Sequence, residues 1–478
     1  MKDKTDYKIL VVFPGREDMP AGWPYGRFPV NNQIEKIKEE INQVSKISDA
    51  EFDFFGWKLI QNDSDIYESY SLMDDADGLV IVPLNAEFAS LGPDIYKLCE
   101  KNLPAIIYTK PFSVYYDGYA ALKANGVKAI LVASSDLNDL IEPLTVVKTA
   151  IDLKRLRLLI IRDLEHDYTK IDPRMLDPRW KGPAYSGLIK KYFGSSLVYA
   201  DSRELISHYN EITDAAVQEE FDKAIRAAAE IKEPPKEDIF KAVKMYLAIK
   251  SLMNQKNANG FTVDCLSYIR EKTMPASPCF AISRSNDEGI TAGCEADVES
   301  VLTIAICHYL TGKPGFQGDP VIDRRKNRVI FAHCTAPTRM DIDTCCPCRF
   351  RTHNESLSDV GLEIEMKTNE PVTILKLTGT GTIKYMGLPQ IPVQNTFETY
   401  HLLTHEAVTV EHDYTGSPWG CRTKLAIELQ PDELEKFENN FFGFHRVVLY
   451  GSYQKKLKSL AQLLGVKFHD TMYLPVSG

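Results

Sequence analysis

A chain of 478 residues is too long for one compact core, and domain sizes point to roughly two to four domains. Its composition is that of an ordinary globular protein (44% hydrophobic, 26% charged), and 56 Lys and Arg against 66 Asp and Glu leave a net charge of -10 with no basic cluster. Nucleic acid is thereby excluded as the main partner, because tracking phosphates needs concentrated Lys and Arg; no apolar run nears the ~20 residues that span a bilayer.

Met1 to Tyr7 carry no apolar signal core and lead straight into a strand pattern at Ile9–Phe13, so the expected compartment is the cytoplasm. Further short apolar runs at Gly78–Pro83, Ala105–Thr109 and Ala129–Ala133 alternate with helical stretches such as Asn31–Val44. Continuous runs separated by helices predict a parallel sheet covered on both faces, an open flavodoxin- or Rossmann-like domain over residues 1–153. The loop after the first strand carries Arg16, Trp23 and Arg27. It is too long and Pro-rich for a dinucleotide fingerprint and reads equally as a contact loop or an ordinary surface loop.

Residues 154–335 repeat the pattern, with strands at Leu156–Ile161, Ser196–Tyr199 and Thr262–Asp264, a further buried strand at Cys279–Ile282, and helices at Asp214–Ile231, Lys236–Gln255 and Val298–Leu310. Residues 336–478 change character: Gly361–Met366, Val372–Leu377, Gly381–Tyr385 and Leu425–Glu428 alternate with Gly and Thr turns, and one helix closes the chain near Gln454–Leu464. The expected fold is α/β, two open parallel-sheet domains followed by a β-rich C-terminal domain. Ten cysteines are scattered along the chain, and only Cys345, Cys346 and Cys348 cluster. Adjacent cysteines chelate one ion poorly without a second spaced pair, so a reduced loop is the expectation there.

Several polar residues stand where chemistry could use them. Glu295 opens an apolar helix, where an acidic residue also complements the helix dipole. Asp319 lies in Gly318-Asp319-Pro320, which is turn chemistry. His333 ends a strand, His353 lies in a polar stretch, Trp419 sits in a turn able to stack on a sugar face, and His445 follows Phe441-Phe442-Gly443-Phe444. Taken singly, each has a structural explanation that is as good as the functional one or better.

Their order is more informative: Asn-Asp-Glu-Gly, Cys-Glu-x-Asp, Thr-Gly-Lys-Pro, Gly-Asp-Pro, Ala-His-Cys-Thr-Ala-Pro, His-x-Glu-Ser, Gly-Cys-Arg-Thr and Gly-x-His, all between residues 260 and 470. This succession resembles the L-fucose/L-arabinose isomerase-like family, on its less characterised branch. The resemblance implies a metal-dependent aldose–ketose isomerase, with Glu295, Asp319 and His445 holding Mn2+ (or Mg2+ or Co2+) and the two carboxylates moving protons. His333, Trp419, Arg16, His353 and Arg27 are the expected substrate contacts. A homo-oligomer, trimer or hexamer, is implied as well. Moving a carbonyl between neighbouring carbons needs an acid, a base and stabilisation of an enediolate, which such a set supplies. Arg16, Arg27, Arg349, Arg351 and Arg422 exceed what a neutral sugar needs, so a sulfonated or phosphorylated hexose is an alternative substrate. A non-catalytic sugar-binding relative is a further alternative.

Overall fold

Two parallel sheets and a closed antiparallel β-structure make up the fold, an α/β architecture with a sheet-rich C-terminal part. A computed structural model describes residues 6–17, 29–44, 46–47, 50–85, 88–112, 118–163, 183–379, 399–412, 420–441 and 445–473. The chain divides into two compact units, one of residues 1–152 with 455–466, the other of residues 153–454 with 467–478.

The first unit holds β1 (Asp6–Pro14), β2 (Lys46–Ile47), β3 (Ala50–Ile60), β4 (Gly78–Ile81), β5 (Ala105–Thr109) and β6 (Ala129–Ala133), in the spatial order β2-β3-β1-β4-β5-β6. All neighbours are parallel except the short edge strand β2. Both faces of β4 and β5 are buried, which is why their sequences, Gly-Leu-Val-Ile and Ala-Ile-Ile-Tyr-Thr, show no alternation of apolar and charged residues. The helix Gln454–Leu464 belongs to this unit; its Gln462 amide donates to the Tyr119 hydroxyl at 3.2 Å.

In the second unit, β7 (Arg157–Ile161), β8 (Ser196–Ala200), β10 (Gly260–Val263) and β11 (Thr291–Cys294) form an all-parallel sheet of order β11-β10-β7-β8. The intervening β9 (Glu230–Ile231) instead joins β14 (Cys348–Thr352) and β15 (Val360–Ile364) in a small separate sheet. The remaining strands are β12 (Phe316–Asp323), β13 (Arg328–His333), β16 (Pro371–Gly379), β17 (Tyr400–His412), β18 (Thr423–Glu428), β19 (Arg446–Tyr450) and β20 (Lys467–His469). Their order is β16-β19-β12-β13-β18-β17-β20, and β17 also pairs with β16, so six strands close into a ring. Closure removes the exposed edges an open sheet would present. One continuous core, including Leu159, Phe261, Phe316, Val329 and Val448, joins the parallel sheet to this barrel.

Two local expectations change. Cys279–Ile282 is the first turn of a helix, Cys279–Asp287, rather than a strand. A buried apolar run of four residues is compatible with either period, and Pro278 at the N-cap with the polar Ser-Arg-Ser-Asn that follows decides for the helix. Asp319 is not in a turn: it sits inside β12, where pairing passes from β19 (through Gly318) to β13 (from Asp319). The stretch Gly381–Tyr385 lies outside the described residues.

Candidate active site

Glu295 follows directly on the carboxyl end of β11, the side of an open parallel sheet where ligands bind. The backbone turns sharply there, with Glu295 at φ 62° and Ala296 at φ 51°, both in the left-handed region that costs an L-residue roughly 1–2 kcal/mol. The Ala296 N–H donates to the Val263 carbonyl of β10 at 3.0 Å and fixes this turn against the sheet. Asp297 then caps the helix Val298–Thr311, accepting from the Ser300 N–H at 3.0 Å and its hydroxyl at 2.7 Å. Strain held in place by such bonds is characteristic of sites where side-chain direction matters.

Two further contacts bring the other elements to this turn. The Cys294 N–H donates to Gln317 Oε1 at 2.9 Å, which ties β12 to the end of β11 two residues before Asp319. A Cβ on Gly293 would stand 2.5 Å from Val301 Cγ2, so only glycine lets the helix seat this close. His445 immediately precedes β19, the barrel neighbour of β12, and His333 ends β13, its other neighbour. Four segments far apart in sequence thus deliver side chains to one point.

The geometry there is compact. His445 Nε2 lies 3.3 Å from Asp319 Oδ1 and 3.6 Å from Glu295 Oε2, while His333 Nε2 lies 3.7 Å from Glu295 Oε1. Asp319, His333 and His445 each offer a ligand atom within 4.8 Å of the others. Asp319 Oδ1 and His333 Nε2 are buried without a hydrogen-bond partner among the described residues, an arrangement that costs free energy unless something else fills the gap between them. The imidazoles are buried, but Glu295 and Asp319 keep 19% and 27% of their side-chain exposure, which leaves one face open to a ligand.

The two histidines are oriented differently. His445 Nδ1–H donates to Asp297 Oδ2 at 2.8 Å, leaving Nε2 to present its lone pair. At His333 the Cys334 backbone N–H donates to Nδ1 at 3.1 Å when the ring is neutral, and that form carries its proton on Nε2, facing the carboxylates. Charge is balanced by Lys376, whose ammonium donates to the His445 carbonyl at 3.1 Å and helps to hold Asp297 ionised. Burial would raise both Glu295 and Asp319. For Glu295 the His445 and His333 charges outweigh it and hold the carboxyl below its usual range. For Asp319 burial wins, reinforced by Glu295, and its carboxyl is pushed up. Burial opposes the His333 charge, but Glu295 and Asp319 prevail and raise it to about 9. His445 is raised against its burial by Glu295, Asp297 and Asp319.

Residues singled out in the sequence therefore separate into groups. Glu295, Asp319, His445 and His333 converge. His353 stands nearby with Cys334 and Glu355. Arg16 lies in the other unit, its guanidinium paired with Asp94 at 2.7 Å and donating to the Gly15 carbonyl at 3.0 Å. Trp419 and Arg27 lie outside the described residues. The arginine surplus is largely matched internally: Arg349 pairs with Glu365 at 2.6 Å, Arg351 with Glu233 and Glu363, and Arg422 donates to the Thr352 carbonyl at 2.8 Å. Asp297, the last residue of the motif Cys-Glu-x-Asp, was given no role of its own by the sequence. It is a cap and also the hydrogen-bond acceptor of His445, and its spacing of two from Glu295 was the available signal.

No family model matches this chain. Over 290 residues the chain is 21% identical to the sulfoquinovose isomerase of Clostridium sp. (strain MSTE9). The alignment covers 59% of this chain and 60% of that relative's length. The chain is a distant relative of a sugar isomerase.

Proposed function

We propose that this protein is an aldose–ketose isomerase that uses a divalent metal ion. The observation that carries the reading is the convergence of Asp319, His333 and His445 within 4.8 Å beside Glu295. Glu295, Asp319 and His445 would hold the ion; three oxygen and nitrogen donors with no thiolate suit Mn2+ or Mg2+. When bound, the ion supplies electrophilic stabilisation of negative charge developing on the substrate oxygens.

The chain's own residues divide the proton work. Glu295, held ionised by the neighbouring histidines, is the base that takes a proton from one carbon. Asp319, the second carboxylate, is the group that returns a proton at the neighbouring position. His333 offers its Nε2–H to a substrate oxygen, and Asp297 keeps the His445 ring turned so that Nε2 faces the carboxylates.

Incubating Mn2+-supplied protein with sulfoquinovose, neutral aldohexoses and their phosphates, and following ketose signals by NMR, tests the reading. Ketose should form with at least one of them; binding without turnover across the whole set would favour a non-catalytic sugar-binding protein instead. A sulfonated hexose is the substrate we favour, on the strength of the similarity to a sulfoquinovose isomerase rather than of the arginines, which are matched by internal partners. Competition by inorganic sulfate is the expected signature. A homo-oligomer is expected with it, and light scattering that gives a monomer mass would remove that part of the proposal.

A further inference from the structure

A second group of donors, softer than the first, lies next to His333 and has no part in the chemistry above. Cys334 follows His333 at the end of β13, Cys421 stands two residues before β18, and His353 and Glu355 come from the turn between β14 and β15. The pairing of His333 with Thr423 brings Cys334 and Cys421 to the same end of the β13–β18 ladder. Cys421 Sγ is 3.5 Å from Glu355 Oε1, and Glu355 Oε2 is 3.2 Å from His353 Nε2. Cys334, His353 and Glu355 each offer an atom within 4.8 Å of the others. The His353 ring is held from behind: Nδ1 lies 3.2 Å from the Ser356 hydroxyl and accepts from the Ser356 N–H at 3.4 Å, and Nε2 faces Glu355.

A tetrahedral zinc ion with bonds of roughly 2.0–2.3 Å spaces its ligand atoms about 3.3–3.8 Å apart. Two edges of this cluster, Cys421 to Glu355 at 3.5 Å and Glu355 to His353 at 3.2 Å, fall at or close to that spacing. Two sulfurs, an imidazole and a carboxylate are also the donor mixture that favours zinc over manganese. We propose that Cys334, His353, Glu355 and Cys421 form a binding site for a zinc ion, separate from the Glu295–Asp319–His445 centre. Binding displaces the two thiol protons to solvent, forms two S–Zn bonds, and needs no oxidant or reductant. The ion would tie together the ends of β13 and β18 and the β14–β15 turn, three segments that flank His333, and so act as a structural clamp beside the site. All ten cysteines are free thiols, which leaves both sulfurs available.

Cobalt reports on such a site directly, because thiolate ligation produces charge-transfer absorption in the near ultraviolet and tetrahedral geometry produces intense visible bands. Full-length protein stripped with chelator and titrated with Co2+ should develop both, and Zn2+ should abolish them. The bands should disappear in Cys334→Ser and in Cys421→Ser and be weakened and shifted in His353→Gln. They should persist in Glu295→Gln, which removes a donor of the other centre, and in Cys345→Ser/Cys348→Ser. Circular dichroism checks that each variant is folded, and Cys421→Ser, at a partly exposed position, is the least disruptive. Absence of thiolate bands in the parent, their survival in Cys421→Ser, or a Cys334–Cys421 disulfide that persists under reductant and excludes zinc would each overturn the proposal. None of these outcomes depends on turnover of a sugar.

Discussion

At the scale of single residues, the site works by pairing each group with a partner that sets its charge. Replacing Glu295 by Gln keeps the shape but removes the proposed base, and kcat should fall by about two to four orders of magnitude in metal-supplied protein. Asp297→Asn leaves the cap largely intact while weakening the acceptor of His445 Nδ1–H. Metal affinity should drop about 10- to 100-fold by calorimetric titration with only a small change in melting temperature. A purely structural Asp297 would give the reverse, a lower melting temperature at unchanged affinity. The pH dependence follows from the sign of the histidine shifts. Without metal, the folded-state values of His445 and His333 are raised above the ordinary 6.5, that of His333 to about 9. The His–carboxylate attraction therefore stabilises the ion-free protein fully below pH 6.5, and this contribution is lost as pH climbs through about 9. Metal must displace the proton on His445, so its apparent affinity should rise by up to about tenfold per pH unit across the region above 6.5, and proton release should accompany binding. A pH-independent affinity would remove His445 from the ligand set.

Among the elements, the decisive ones are β11 with its left-handed turn and β12 with its change of partner. Glu295 aims correctly only because Gly293 lets the helix Val298–Thr311 lie against the strand. Gly293→Ala should cost about 1–3 kcal/mol in urea unfolding and reduce activity, since overpacking forces backbone shifts. The double variant Gly293→Ala/Val301→Ala should recover part of both losses, because it removes the methyl that the new Cβ meets at 2.5 Å. In β12 the triplet Gly-Asp-Pro looks like a turn and is a strand. Gly318 is needed because a Cβ would sit 2.8 Å from Phe331 Cβ, and Pro320 falls where the β19 ladder has already ended. Local propensity read these residues by their commonest use, and the pairing of distant strands overrode it.

On the level of the whole molecule, the chain builds its first unit from two separated pieces. The helix Gln454–Leu464 buries Leu457, Leu460, Leu463 and Leu464 and belongs with residues 1–152. Leu460→Ala should destabilise by about 2–5 kcal/mol. Hydrogen exchange should then accelerate in peptides of β5 and β6 and stay unchanged in β7, β10 and β11. Equal acceleration in both sets would show that the two units unfold as one.

What the amino-acid sequence determined by itself was the alternation of apolar runs and helices, because periodicity is a local property, and with it the parallel sheets, the β-rich C-terminal part and the helices Lys236–Gln255 and Gln454–Leu464. It also carried the order of motifs that placed Glu295, Asp319, His333 and His445 under one chemical heading. Only the tertiary structure decided that these four meet, that Asp297 orients His445, that Arg349 and Arg351 are engaged by glutamates, and that Cys334 and Cys421 share one end of a ladder. Each of these depends on which strands lie side by side around a closed barrel. A sequence lists its residues in one dimension, and strand neighbours such as β12 and β19, more than a hundred residues apart, leave no local trace of their pairing.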